Sequence, residues 1–86
     1  MTNLELIRAV NNSIPAGDTL EEISFEAETV LIKMAGGNYV TWRFMKESGN
    51  AVSLYWPSEL ISERYNALKD FMVRVSERSV TLKDLI

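Results

Sequence analysis

The fold is decided by residues 29–56, which read TVLIKMAGGNYVTWRFMKESGNAVSLYW. Large apolar side chains recur at even-numbered positions, and two triplets rich in Gly and Asn, residues 36–38 and 48–50, interrupt the pattern. A period of two is typical of a strand with one buried face, and three-residue loops with Gly or Asn commonly close hairpins. This stretch therefore predicts an antiparallel meander of three strands.

The register follows from placing large apolar side chains opposite one another. The expected pairs are Val30 with Phe44, Ile32 with Trp42, Met34 with Val40, Phe44 with Leu54 and Trp42 with Trp56. A slip of one residue would turn these side chains to the other face, so this match specifies the register. The even-numbered side chains are expected to form the core, and the odd-numbered ones the open face.

One further strand is predicted before the meander, with one helix before the strands in the sequence and one after them. Thr2 and Glu5 have the spacing of a capping box, which predicts a helix over residues 3–12. Ile23 and Phe25 alternate with Glu22, Ser24 and Glu26, which predicts a strand with one dry and one wet face. A change of phase near Glu28 indicates either a bulge or a two-residue turn at residues 27–28, and the turn would place Phe25 opposite Val30.

A long C-terminal helix is predicted from Ser58, a suitable N-cap, to about Arg78. Thr81 and Asp84 repeat the capping-box spacing, so one short extra helix is expected at the end. The predicted fold is α+β, with residues 1–86 as a single compact domain. The N-terminal helix and the long C-terminal helix cover the dry face of three to four antiparallel strands in a two-layer sandwich.

Composition favours binding over catalysis. The chain has no His and no Cys, which removes the usual acid–base catalyst near neutral pH, the thiolate nucleophile and any disulfide. We therefore expect that the protein is not an enzyme and that it binds neither a cofactor nor a metal ion. No apolar run is long enough to span a bilayer, and residues 1–10 do not have the pattern of a signal peptide, so a cytoplasmic protein is expected.

Charge is concentrated in one segment, although the formal net charge is only −3. No basic residue lies between Arg8 and Lys33, whereas five acidic residues do: Asp18, Glu21, Glu22, Glu26 and Glu28. Glu22, Glu26 and Glu28 would share one strand face at spacings of about 7 Å. Such a line of charge attracts basic surfaces and repels nucleic acid, so it predicts a protein partner with a basic surface.

Two alternatives use the odd-numbered sheet face, which carries Lys33, Tyr39, Arg43, Met45 and Tyr55. Two cations and two aromatic rings are the ingredients of single-stranded nucleic-acid binding, although two cations neutralise only about two phosphates. The other alternative is a homodimer formed through Leu31, Met45 and Tyr55 about a two-fold axis. The order helix, strands, helix is also similar in outline to the double-stranded-RNA-binding domain. Residues 58–61, which read SELI, lack that family's basic cluster.

In size, acidity and element order the chain resembles small phage-encoded inhibitors of host defence, including some anti-CRISPR proteins that occupy nucleic-acid-binding surfaces. That resemblance implies an inhibitor or regulator without chemistry of its own. It rests on no shared motif, and fold alone does not fix function. The expected function is therefore the binding of another macromolecule, with the acidic segment as the first candidate surface.

Overall fold

A computed structural model describes residues 2–52 and 59–84, with their side chains except those of Val52 and residues 80–84. The elements are α1 (Asn3–Ser13), β1 (Thr19–Ser24), β2 (Thr29–Lys33), β3 (Tyr39–Phe44), β4 (Ala51–Val52) and α2 (Arg64–Asp84). The four strands form one antiparallel sheet in the order β1-β2-β3-β4. The predicted α+β fold with an antiparallel meander is confirmed.

Helix α1 begins at the predicted capping box. The Thr2 hydroxyl accepts a hydrogen bond from the Glu5 N–H, and the Glu5 carboxylate accepts one from the Thr2 N–H, each at 3.2 Å. The latter bond lowers the pKa of the exposed Glu5 carboxyl below its ordinary value. At the other end, the Ser13 hydroxyl accepts from the Ala51 N–H at 2.9 Å, which fixes α1 against the start of β4.

The sheet is covered on both faces, so the predicted two-layer arrangement is wrong. One apolar cluster joins α1 and the following residue to the even-numbered side chains of β2 and β3; its buried members are Leu6, Val10, Ile14, Val30, Ile32, Val40 and Phe44. A second cluster joins Leu31 and Tyr39 to Ala67 of α2. Neighbouring residues of a strand point to opposite faces, so α1 and α2 lie on opposite sides of the sheet.

This arrangement has a physical cause in the odd-numbered positions. Val30, Ile32, Val40 and Phe44 are buried as predicted, but only α1 covers them, whereas the prediction placed the long C-terminal helix there as well. Leu31 and Tyr39 would present a large apolar area to water if their face were open. Helix α2 removes that area, and Phe71 and Leu68 pack against the same cluster.

The β2–β3 pairing keeps the predicted faces but shifts by two residues. Val30 lies opposite Trp42, and Ile32 lies opposite Val40. The Met34 N–H donates to the Asn38 carbonyl at 2.7 Å, so the three loop residues are 35–37 rather than 36–38. The shift places Gly37, with φ of +93°, at the left-handed position of the loop, where a glycine meets less strain than an asparagine.

The β3–β4 pairing also differs from the prediction. The Met45 N–H donates to the Asn50 carbonyl at 3.0 Å, which leaves residues 46–49 as the loop. Phe44 consequently lies opposite Ala51 rather than Leu54. Gly49 takes the left-handed conformation at the end of this loop, with φ of +74°, where it packs against α1. The predicted Trp42–Trp56 pair lies outside the described residues.

The β1–β2 connection is longer than the predicted two-residue turn. Residues 25–28 form the turn, and Ile23 rather than Phe25 lies opposite Val30. Only Glu28 of this turn has a positive φ, +51°, whereas the tightest hairpin turn requires two such residues. The register shift lies within β1, between Leu20 and Glu22, so Glu21 is the extra residue of a bulge.

Helix α2 begins at Arg64, later than predicted, and continues to Asp84 without the predicted break near its end. Ile61 is not part of the helix, because it pairs with Tyr39 through backbone hydrogen bonds of 2.7 and 2.9 Å. Ser58 lies outside the described residues. Within the helix, Arg74 Nε lies 3.1 Å from Asp70 Oδ2 and forms an ion pair one turn apart.

Candidate functional site

Two of the five acidic residues predicted to bind a partner, Asp18 and Glu28, contact other parts of the fold. Asp18 is half-buried, and its Oδ1 accepts a hydrogen bond from the Ala35 N–H at 3.0 Å, which ties the start of β1 to the β2–β3 loop. Glu28 Oε2 lies 3.8 Å from Arg43 Nη2, and both side chains are mostly shielded from solvent. The charge of Glu28 is therefore partly offset by Arg43, and one oxygen of Asp18 is occupied by a backbone N–H.

Glu21, Glu22 and Glu26 remain as outward charges, and we call them the acidic edge. Glu22 and Glu26 are exposed, while Glu21 is half-buried at the bulge. Among the described residues, the ion pairs of Arg43 with Glu28 and of Arg74 with Asp70 do not involve the acidic edge. Three carboxylates are thus available to a partner at this place.

The acidic edge is not the straight line of charge that the sequence predicts. Glu22 lies in β1, whereas Glu26 and Glu28 lie in the turn that follows it. The predicted shared strand face for these three residues is therefore wrong, because the turn takes up four residues instead of two. The charges instead follow the border of the sheet from the β1 bulge to the turn.

The position of β1 makes this border accessible. β1 has β2 as its only strand neighbour among the described residues, so within that part of the chain its other side is an open edge. An open edge presents backbone N–H and C=O groups that another strand can bind. The structure therefore brings together carboxylates and an open strand edge, a combination that sequence reasoning missed because it left the pairing of β1 unsettled.

The predicted sheet-face site does not form an open surface. Tyr39 is only 6% exposed and lies in the cluster with Ala67, under α2. Arg43 is half-buried and faces Glu28, and Met45 is half-buried beyond the end of β3. Lys33 is exposed, and Tyr55 lies outside the described residues.

Helix α2 also covers the centre of the patch that was predicted to form a homodimer. Leu31, its predicted centre, is 0% exposed because α2 covers its face of the sheet. A buried side chain cannot contact a second copy without displacing the helix. The position of α2 therefore covers Tyr39 and Leu31, on which the two sheet-face alternatives depend.

Two further surface features that sequence reasoning missed involve α2. One is a cavity of about 300 Å³ between the segment before α2 and the helix, lined by Glu59, Ile61, Asp70 and Arg74. The other is the outer side of α2, where Tyr65 and Met72 are 70% and 67% exposed. The Lys69 ammonium lies 5.4 Å from the centre of the Tyr65 ring.

Other site classes find no support among the described residues. Within residues 2–52 and 59–84, no three His, Cys, Asp or Glu side chains are grouped to hold a metal ion. No helix in that part of the chain has the length and apolar character needed to cross a bilayer. Comparison of the chain with protein-family models, with curated proteins and with solved structures gives no match.

Proposed function

We propose that this chain binds a protein partner through the acidic edge, and that it inhibits or regulates the partner by covering a basic surface. The observation that carries the proposal is the set of three carboxylates on an open border of the sheet, none of them in a described ion pair. Opposite charge across an interface speeds association and excludes wrong partners.

The alternative explanation of these charges is protection of the edge against aggregation. Charged side chains and bulges do keep strand edges from pairing with one another. Glu21 and Glu22 lie on the edge strand at the bulge between Leu20 and Glu22, where they would serve that purpose. Glu26 lies in the turn, beyond the strand that needs protection, yet it is exposed and extends the negative surface. Its position favours a binding surface that is larger than the edge.

Occupation of a basic surface would also exclude nucleic acid from it. A partner whose surface binds phosphates presents the Lys and Arg side chains that carboxylates attract. Blocking such a surface is how phage-encoded inhibitors of host defence would use an acidic edge. We propose a cytoplasmic location for the pair, with which a chain free of disulfides is compatible.

The test is affinity capture from native cells with three forms of the tagged protein. The first is the natural chain, the second carries Glu22→Lys and Glu26→Lys, and the third carries Glu47→Lys and Glu59→Lys. All four glutamates are exposed, so both variants change the net charge equally while only one alters the acidic edge.

We expect one stoichiometric protein partner with the natural chain and with the control variant, and its loss with the acidic-edge variant. Binding of that partner should weaken as salt is raised, because screening acts on exposed charges. Retention of the same partner by the acidic-edge variant would contradict the proposal. Recovery of nucleic acid without protein would contradict it as well.

A further inference from the structure

The hydrogen-bond pattern of the sheet fixes which backbone groups of β1 face the open side. In the β2–β3 pair, the Met34 N–H donates to the Asn38 carbonyl at 2.7 Å and the Phe44 N–H to the Glu28 carbonyl at 3.0 Å. The even-numbered residues along β2 therefore direct their N–H and C=O groups toward β3. These directions alternate along an antiparallel strand, so the odd-numbered residues of β2 direct theirs toward β1.

The same alternation then assigns the groups of β1. Its inward residues lie opposite the odd-numbered residues of β2; these pairs are Thr19 with Lys33, Glu22 with Leu31 and Ser24 with Thr29. Leu20 and Ile23 lie opposite even-numbered residues, so their N–H and C=O groups point away from the sheet. Among the described residues, no recorded hydrogen bond occupies these outward groups.

The side chains of the same two residues hold the edge in place. Leu20 and Ile23 are partly buried and pack against the cluster beneath α1. Their outward amides are therefore presented from a side-chain anchor in the core, and the carboxylates of Glu21 and Glu22 lie between them in the chain. The arrangement offers an added strand hydrogen bonds from the backbone and charge from the side chains.

The charges of Glu21 and Glu22 determine which kind of strand can pair with the open edge of β1. A second copy paired antiparallel through β1 would bring Glu21 and Glu22 of the two copies together, and like charges opposite one another destabilise strand pairing. A segment with Lys or Arg would instead meet complementary charge. We propose that the acidic edge binds an extended basic segment of its partner as an added strand beside β1. This inference rests on the proposed function and specifies how the partner is held.

A substitution pair separates the backbone contribution from the side-chain contribution. Ile23→Pro removes one outward N–H but no hydrogen bond to β2, and proline is tolerated on edge strands when its missing N–H faces solvent. Ile23→Ala is the matched control, because it shortens the same side chain but keeps the N–H. Circular dichroism and urea unfolding verify that both variants fold.

The probe is an eight-residue peptide of alternating Val and Lys with blocked ends, and a Val and Glu peptide is its control. We expect the Val and Lys peptide to bind Ile23→Pro at least about tenfold more weakly than Ile23→Ala, a difference of about 1.4 kcal/mol. Equal affinity for the two variants would overturn the inference.

Amide hydrogen exchange gives a second readout that needs no variant. On saturation with the Val and Lys peptide, the amides of Leu20 and Ile23 should exchange at least about tenfold more slowly, which corresponds to new hydrogen bonds at the edge. Unchanged exchange at both amides would overturn the inference even if the proline variant failed to fold.

The outcomes also distinguish this inference from the proposed function. If the Glu22→Lys and Glu26→Lys variant loses the captured partner while Ile23→Pro keeps it as well as Ile23→Ala does, the acidic edge binds through side chains alone. The inference then fails and the proposed function stands. If the charge-reversed variant also keeps the partner, both fail.

Discussion

The contact between α1 and the β3–β4 loop gives a sharp test of the packing. Gly49 is buried and has φ of +74°. A Cβ built on Gly49 would overlap the Cβ of Ala9 and would lie 3.3 Å from both the Ala9 carbonyl carbon and the Val10 nitrogen. Gly49→Ala therefore forces either α1 or the loop to move. Gly37→Ala is the control, because Gly37 has φ of +93° but a Cβ there meets no atom within 4 Å.

The two substitutions share one energetic cost and differ in another. An L residue in the left-handed region costs about 1–2 kcal/mol, and this cost applies at both positions. Overpacking of a closely packed site adds about 1–3 kcal/mol, and it applies only to Gly49→Ala. We therefore expect Gly49→Ala to lower the free energy of unfolding by about 1–3 kcal/mol more than Gly37→Ala does.

The assay is urea unfolding followed by circular dichroism, with thermal unfolding beside it. For a domain of this size, each 1 kcal/mol corresponds to a shift of about 4–8 °C in Tm. Ala9→Gly combined with Gly49→Ala should recover at least about 1 kcal/mol relative to the sum of the single changes, because it removes the side-chain overlap. Equal losses for Gly49→Ala and Gly37→Ala, or strictly additive losses in the double variant, would refute the close approach of α1 to this loop.

Three further outcomes follow from the described hydrogen bonds and ion pairs. Thr2→Ala should lower the free energy of unfolding, measured in urea, by about 1 kcal/mol, because it removes the N-cap hydroxyl of α1. The pKa of the Glu5 carboxyl is lowered in the folded state, so Glu5 stabilises the fold above its ordinary pKa. This stabilisation is lost as the pH falls through the lowered pKa. An NMR titration in which Glu5 shows no lowered pKa would contradict this. Asp18→Ala should lower the free energy of unfolding by about 1–2 kcal/mol, because it removes the acceptor of the Ala35 N–H. Asp18→Asn should lower it by less, since an amide oxygen still accepts this hydrogen bond. Equal losses for the two variants would count against the bond. Glu26→Gln should weaken partner binding by about three- to tenfold, whereas Glu28→Gln should change it by less than about twofold because its charge is already paired, and the reverse order would contradict the definition of the acidic edge.

The sequence predicts those features whose physical cause is local. The capping box of Thr2 and Glu5 depends on residues one turn apart, and it forms as expected. The alternation of β2 and β3 is likewise local, so Val30, Ile32 and Val40 are buried on one face as the pattern indicates. Both hairpin loops contain the expected glycines, but each register differs because the left-handed position is taken by Gly37 in one loop and by Gly49 in the other.

The features that sequence reasoning missed depend on contacts between distant parts of the chain. The helical periodicity of α2 does not specify which sheet face it covers, and the pairing of Ile61 with Tyr39 delays the start of the helix. The same reasoning applies to the acidic segment. Its content is visible in the sequence, but the bond from Ala35 to Asp18 and the ion pair of Glu28 require the folded sheet.

The central claim is that α1 and α2 cover opposite faces of the sheet and leave the β1 edge open to a partner. Nuclear Overhauser contacts in a methyl-labelled sample test this most directly. The account predicts contacts from the Ala67 methyl to Leu31 or Tyr39, and separate contacts from the Val10 methyls to Phe44 or Val30. Contacts from Ala67 and Val10 to the same strand side chains would place both helices on one face and contradict the account.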